Sequence, residues 1–263
     1  VVEPLLPLIL LLTGLLVSFF SSLLGLGGGV ILIPILILGF GLTTHNAVST
    51  SLVAVLATAA SATLEYARQK RIVFRLGLLT IAATIPGASL GADISQYVSS
   101  RMLAAIFSAI IICLGFIMLF GQEPKGGSDH PNTKRLASGH LLNQLASFSL
   151  FFCVGLVAGV LGIGGGILVV PIYNVLLGVG IYYAVATSTF TIIFTSLAGL
   201  LRHYTLGYLL LEYALPITIG VLIGAQLGPR LNKMLNTQLL RRIFALAIIG
   251  LSIYLFITKF LLA

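Results

Sequence analysis

Gly25-Leu26-Gly27-Gly28-Gly29-Val30-Ile31-Leu32-Ile33-Pro34 runs from a glycine cluster straight into apolar residues and a proline. The pattern returns 137 positions later as Gly162-Ile163-Gly164-Gly165-Gly166-Ile167-Leu168-Val169-Val170-Pro171, with all four glycines and the proline in register. The offset persists beyond the motif. Ala47, Thr50 and Ser51 find Ala184, Thr187 and Ser188, and Ile106-Phe107 find Ile243-Phe244. Gly87, Gly91 and Ala92 match Gly220, Gly224 and Ala225 after a slip of four positions. The chain therefore reads as a duplicated unit: 1–120 and 141–263, joined by a linker at 121–140 that holds Pro, Gly, Ser, Asn and charges without an apolar period.

Composition sets the class. Apolar residues make up 59% of the chain, charged ones only 8%, and the mean hydropathy is +1.16, far from a soluble balance. The expected fold is all-α: a polytopic membrane protein of two inverted-topology repeats, with about 8–10 membrane segments and glycine-broken or re-entrant helices at the midplane. The apolar runs are Leu-, Ile- and Ala-rich without the alternation that membrane strands need. Cys113 and Cys153 both lie in apolar segments at non-equivalent positions, which argues against a structural disulfide.

In order, Leu5 to Leu24 is long enough to cross a bilayer, whereas Val30 to Phe40 gives about 16 Å of helix, roughly half a hydrocarbon core. Pro34 is expected in or near the first turn of that half-helix, where a missing N–H costs least, and Pro171 likewise in the second unit. Further apolar segments follow at about Ala47–Leu64, Leu76–Tyr97 and Leu103–Phe120. The second unit repeats the plan at Leu142–Leu161, Ile167–Leu177, Ala184–Leu200, Leu206–Leu227 and Leu239–Leu262.

Loop charge bears on orientation. Arg68, Lys70, Arg71 and Arg75 follow the third segment of the first unit, while Arg230, Lys233, Arg241 and Arg242 load the next loop round in the second. By the positive-inside rule, equivalent loops then lie on opposite sides of the membrane. This places the linker, with Lys125, Lys134 and Arg135, in the cytoplasm and both termini outside. An eight-helix arrangement with one long first crossing would leave the Arg230–Arg242 cluster outside and ranks second.

A helix N-terminus carries unpaired N–H groups and a partial positive charge, and glycine lets an anion approach that backbone. Two inverted units would aim two such ends at one central volume. The candidate substrate-binding residues are therefore Gly25, Gly27, Gly28, Gly29, Gly162, Gly164, Gly165 and Gly166, with Thr50, Ser51, Thr187 and Ser188 as hydroxyl donors. The same glycines also have the small-xxx-small spacing of close helix packing, and for Gly87/Gly91 and Gly220/Gly224/Gly228 packing is the better account. Membrane hydroxyls also bond back to their own helix. Arg202 is a candidate anion guide, and Glu65 and Asp93 are candidate proton carriers; the competing reading makes all three interfacial anchors. No βαβ context supports a dinucleotide loop, and no nucleophile motif, metal-ligand spacing or carboxylate pair points to an enzyme, a metal or a cofactor. His45, His130, His140 and His203 are scattered along the chain. The net charge of +8 belongs mostly to inside loops and does not point to nucleic acid.

The paired Gly-x-Gly-Gly-Gly-(apolar)4-Pro motifs, the Ala-x-x-Thr-Ser after each, and the Gly-x-x-x-Gly-Ala segments resemble the TauE/SafE sulfite exporter family over essentially the whole chain. The resemblance implies movement of sulfite, thiosulfate-like anions or organosulfonates such as sulfoacetate across a bacterial-type inner membrane. The expected activity is secondary transport of such an anion by alternating access, with export the expected direction. The expected partners are the anion, lipid, a coupling proton or sodium ion, and a second copy of the chain. A passive anion channel and a non-transporting scaffold subunit are the alternatives.

Overall fold

The computed structural model describes residues 5–120, 141–231 and 237–258, so the linker 121–140, with its expected cytoplasmic placement, lies outside the described residues. Among these residues the chain forms ten α-helices: α1 (Leu6–Leu24), α2 (Gly29–Gly39), α3 (Thr44–Arg68), α4 (Phe74–Ser95) and α5 (Ser100–Phe120), then α6 (Leu141–Leu161), α7 (Gly166–Pro171), α8 (Ile181–Thr205), α9 (Leu211–Leu231) and α10 (Thr237–Phe256). Six of them are long and apolar enough to cross a membrane: α1, α3, α4, α5, α8 and α9. The result is a multi-pass, all-helical membrane protein.

Each glycine cluster ends one helix and starts the next. Gly25 takes the left-handed conformation at φ 69° after α1, and its counterpart Gly162 does so at φ 67° after α6, a helix stop that glycine makes at no steric cost. Gly28 (φ 95°) and Gly165 (φ 84°) are the N-caps of α2 and α7. The prolines sit deeper than the sequence suggested. Pro34 and Pro171 are the sixth residues of their helices, in the second turn, where each ring removes an i→i−4 hydrogen bond. The two units respond differently: α2 runs on through Pro34 to Gly39, while α7 stops at Pro171 and continues as a π-helical turn, Ile172–Leu176. Both end alike, Leu42 N–H bonding to Leu36 O at 3.2 Å and Val179 N–H to Tyr173 O at 2.9 Å.

The packing is exchanged between the units. α1 lies along α9 with the same direction, Gly14 facing the Ile217 carbonyl, Gly220 the Leu11 carbonyl, Gly224 that of Leu15 and Gly228 that of Phe19. α4 lies along α6 in the same way, with Gly87 and Gly91 against Phe152 O and Leu156 O, and Gly155 and Gly159 against Thr84 O and Ala88 O. In every pair a glycine admits the neighbouring backbone. α3 and α8 cross at the centre, where Val55 and Ile192, each the twelfth of 25 residues, are fully buried.

Two ends can be distinguished. Gln69 Nε2 donates to Pro229 O at 3.3 Å and Arg230 Nε lies 3.5 Å from Glu65 Oε2, so the loops after α3 and α9 share one end, which carries Arg68, Lys70, Arg71, Arg75 and Arg230. At the other end Thr44 Oγ1 donates to Ser100 O at 2.9 Å, and the loop after α8 folds over the start of α3. α1 starts at this second end beside the start of α9, and α2 returns the chain to it before α3 begins.

Candidate functional site at the glycine loops

The two glycine loops meet at mid-height of α3 and α8. Val55 and Ile192 line both: they are the nearest side chains to where a Cβ on Gly27 or Gly164 would lie. The loops also touch each other, since a Cβ on Gly29 would stand 2.9 Å from Gly162 O and one on Gly166 would stand 2.6 Å from Gly25 O. Gly25 and Gly162 are equally confined, by Val185 at 2.7 Å and by Val48. Gly25, Gly29, Gly162 and Gly166 are required by the approach of backbone to backbone, whatever else they do.

Gly28 is different. A Cβ there would meet nothing nearer than Ser21 Oγ at 3.6 Å, Thr58 Oγ1 at 3.7 Å and Val17 Cγ1 at 3.7 Å. The space beside it has room for a methyl and is lined by two hydroxyls and a valine. Ser21 is fully buried and its hydroxyl has no hydrogen-bond partner among the described residues. Thr58 Oγ1 donates to Ala54 O at 2.7 Å and keeps its acceptor sites. The N–H groups of Gly28, Gly29 and Val30, at the positive end of an eleven-residue helix, meet no acceptor among the described residues. In the second unit the position matching Ser21 is Ala158, whose Cβ stands 3.3 Å from the corresponding point at Gly165. The two halves of the site are therefore unequal, and the polar half belongs to the first loop.

The hydroxyls that follow each motif divide by role. Ser51 Oγ donates to Val48 O at 2.8 Å and lies 3.3 Å from Gly162 O, while Ser188 Oγ lies 3.4 Å from Gly25 O and 3.5 Å from Gly166 O. Each ties the loop of the opposite unit to the central crossing. Thr187 Oγ1 accepts from Val73 N–H at 3.0 Å, pinning the start of α4. Thr50 Oγ1 is buried and has no partner among the described residues. Tyr173 OH donates to Thr80 Oγ1 at 2.7 Å, a buried bond between the π-turn and α4 that no motif announces.

The ionisable candidates stand apart from the loops. Arg202 Nε donates to Asp93 Oδ1 at 2.6 Å, and Glu65 is shared by Arg68 at 3.7 Å and Arg230 at 3.5 Å. The arginines are 45%, 65% and 52% exposed, so these are exposed pairs worth about 0–1 kcal/mol each. Asp93→Asn is expected to lower the melting temperature by no more than about 2–4 °C. A thermal scan of the purified variant measures it. No group of three metal-ligating side chains occurs among the described residues.

A family model described as "Sulfite exporter TauE/SafE" matches residues 10–255. The probable membrane transporter protein YunE of Bacillus subtilis is 30% identical over 227 residues, covering 81% of this chain and 83% of that protein. A probable membrane transporter protein of Xylella fastidiosa is 30% identical over 160 residues, 60% of this chain and 59% of that protein. One from Haemophilus influenzae is 24% identical over 274 residues and covers 95% of this chain and 98% of that protein. No solved structure matches. The matched segment runs from α1 into α10 through both glycine loops, and the chain belongs to the TauE/SafE sulfite exporter family, whose members are membrane transporters.

Proposed function

We propose that this transporter moves a small sulfur oxyanion or organosulfonate, sulfite or sulfoacetate in kind, outward across the cytoplasmic membrane by alternating access of two inverted halves. The observation that carries the reading is the cradle at Gly28: unpaired N–H groups at a helix N-terminus and the buried Ser21 hydroxyl lie beside a space that a methyl would fill. A sulfonate is a compact head of three oxygens and one negative charge, and the helix N–H groups with the Ser21 hydroxyl are donors that suit it. The exchanged α1/α9 and α4/α6 packing and the opposite directions of matched helices support the inverted arrangement. The clustering of Arg68, Lys70, Arg71, Arg75 and Arg230 at one end supports placing that end in the cytoplasm and both termini outside.

The test is thermal stabilisation of detergent-purified protein by sulfite, sulfate, thiosulfate, sulfoacetate, acetate, phosphate and chloride at matched ionic strength. Selective stabilisation by sulfite or a sulfonate supports the reading. An equal response to every anion, or none, favours a channel or a scaffold. Gly28→Ala adds a methyl where there is room but at φ 95°, a strain of about 1–2 kcal/mol. It is expected to leave a folded protein whose selective stabilisation is lost, and unchanged anion selectivity in that variant would remove the cradle from the site.

A further inference from the structure

The offset that relates the glycine motifs also relates two clusters at opposite ends of the α3–α8 crossing. At one end His45 stacks on Tyr208, ring centroids 4.9 Å apart, and His203 lies 6.4 Å from the same ring. At the basic end the matching positions are Tyr182, Arg71 and Tyr66. There the Arg71 guanidinium lies 5.1 Å over the Tyr182 ring, and Arg71 N–H bonds to Tyr66 O at 3.2 Å. The anchors correspond too: Tyr66 OH donates to Ser22 O at 2.9 Å and His203 Nε2–H donates to Gly159 O at 3.3 Å, Ser22 and Gly159 being again equivalent positions. Along α3, His45 and Tyr66 stand ten and eleven residues from Val55, so the clusters lie about 15 Å either side of the glycine loops.

The clusters differ in how they carry charge. Arg71 is only 9% exposed, and its Nη1 is buried without a partner among the described residues. The nearby carboxylate, Glu65, is held by Arg68 and Arg230. A guanidinium largely withdrawn from water without a counter-charge is costly, and a bound anion removes that cost. At the other end each imidazole donates Nε2–H to a carbonyl, His45 to Val98 O at 3.1 Å and His203 to Gly159 O. A carbonyl only accepts, so the bond sets the tautomer and leaves a lone pair on Nδ1. Both Nδ1 atoms are buried and meet no donor among the described residues. A proton taken from water at either Nδ1 creates a cationic N–H that faces no protein acceptor.

The ionisable groups around this pair are Tyr208 on the loop after α8, Arg202 on the adjoining turn of α8 with its partner Asp93 on α4, and Arg101 in the first turn of α5, beyond Val98. No carboxylate among the described residues forms an ion pair with either imidazole.

We propose that the two clusters are the terminal anion stations of the transport path: Arg71 a permanent one at the basic end, and His45 with His203 one that holds an anion only after taking up a proton. Anion binding at the histidine end is then accompanied by proton uptake from that side, and release by proton loss. The inference rests on the anion-transport reading and adds to it the pH dependence of one mouth and the residues at both.

The experiment uses the full-length protein in detergent with ethanesulfonate, whose charge stays fixed between about pH 5.5 and about pH 8, the range over which an imidazole titrates. Affinity and proton uptake from a weakly buffered solution are read together. The wild type is expected to bind about tenfold more tightly at the acid end and to take up protons on binding. H45Q/H203Q is expected to abolish both the pH slope and the proton uptake; the single variants H45Q and H203Q serve if the pair does not fold. R71Q should weaken binding about tenfold or more at every pH while keeping the slope, and R71K should recover part of the loss. A slope that survives in the histidine variants, or R71Q binding equal to wild type, overturns the inference alone. A wild type that binds no oxyanion overturns it together with the anion-transport reading.

Discussion

Gly220→Ala is expected to lower the melting temperature by about 5–10 °C and to cut the yield of monodisperse protein. The added Cβ would overlap the Leu11 carbonyl oxygen and stand 2.9 Å from Leu15 N. Both are backbone atoms. A flexible side chain would swing away from such a contact, but here α1 must move bodily from α9, and the neighbouring contacts of Gly14, Gly224 and Gly228 resist that along the whole length of the pair. Gly91→Ala makes the same intrusion on α6, against Leu156 O and Val160 N at 3.0 Å, and is expected to cost as much. Overpacking costs typically about 1–3 kcal/mol, a large share of an ordinary folding free energy. Gly250→Ala is the control: nothing lies within 4 Å of its added methyl, and helix propensity makes it neutral or slightly stabilising. Size-exclusion profiles and thermal scans of the three variants check the ordering, and a Gly220→Ala protein as stable as Gly250→Ala would contradict the packing described.

The second large effect is expected on binding. Gly29→Ala puts a methyl 2.9 Å from Gly162 O and 3.0 Å from Ile163 Cα, and Gly166→Ala puts one 2.6 Å from Gly25 O. Each pushes one loop off the other at the central crossing. The strain is confined to a few residues, while the helix pairs that hold the fold are untouched. Anion affinity is therefore expected to fall at least tenfold, about 1.4 kcal/mol, with a smaller change in melting temperature than in Gly220→Ala. The comparison with Gly28→Ala separates two causes: Gly29→Ala and Gly166→Ala act through the spacing of the loops, Gly28→Ala through the space an anion would occupy. Equal affinities in wild type and both spacing variants would mean that the meeting of the loops has no part in recognition.

Much of this architecture is legible in one dimension. Four glycines followed by a short apolar run and a proline specify a broken helix, because left-handed glycines stop one helix and a run of eleven residues is too short to span. The recurrence of the motif locates the second break. The choice of partners is not legible. Gly220-xxx-Gly224 announces a close neighbour, yet nothing in the residues says that it is α1 rather than another helix of the same unit, since a small-residue stripe records the distance of approach and not its source. The prolines show the limit of local rules. Pro34 is tolerated in the second turn of an intact α2, whereas Pro171 gives way to a π-turn that positions Tyr173 toward Thr80, a difference set by tertiary contact. Arg71, His45 and His203 look unrelated along the chain. Their kinship appears once the offset is applied to Tyr182, Tyr66 and Tyr208 and the fold places each trio at one end of the same crossing.

The exchange of partners also constrains synthesis. α1 emerges from the ribosome first, yet the surface that complements its glycine-spaced face is α9, made some two hundred residues later, and α4 must wait for α6. Throughout that interval the nascent first half has insertion-competent helices without their native companions, and nucleation from early segments is penalised by the length of chain that must close. Neither half is then expected to fold as a self-sufficient unit. Expressed separately, each should be degraded, and co-expression of the two fragments should restore an assembled membrane protein through the α1/α9 and α4/α6 seams.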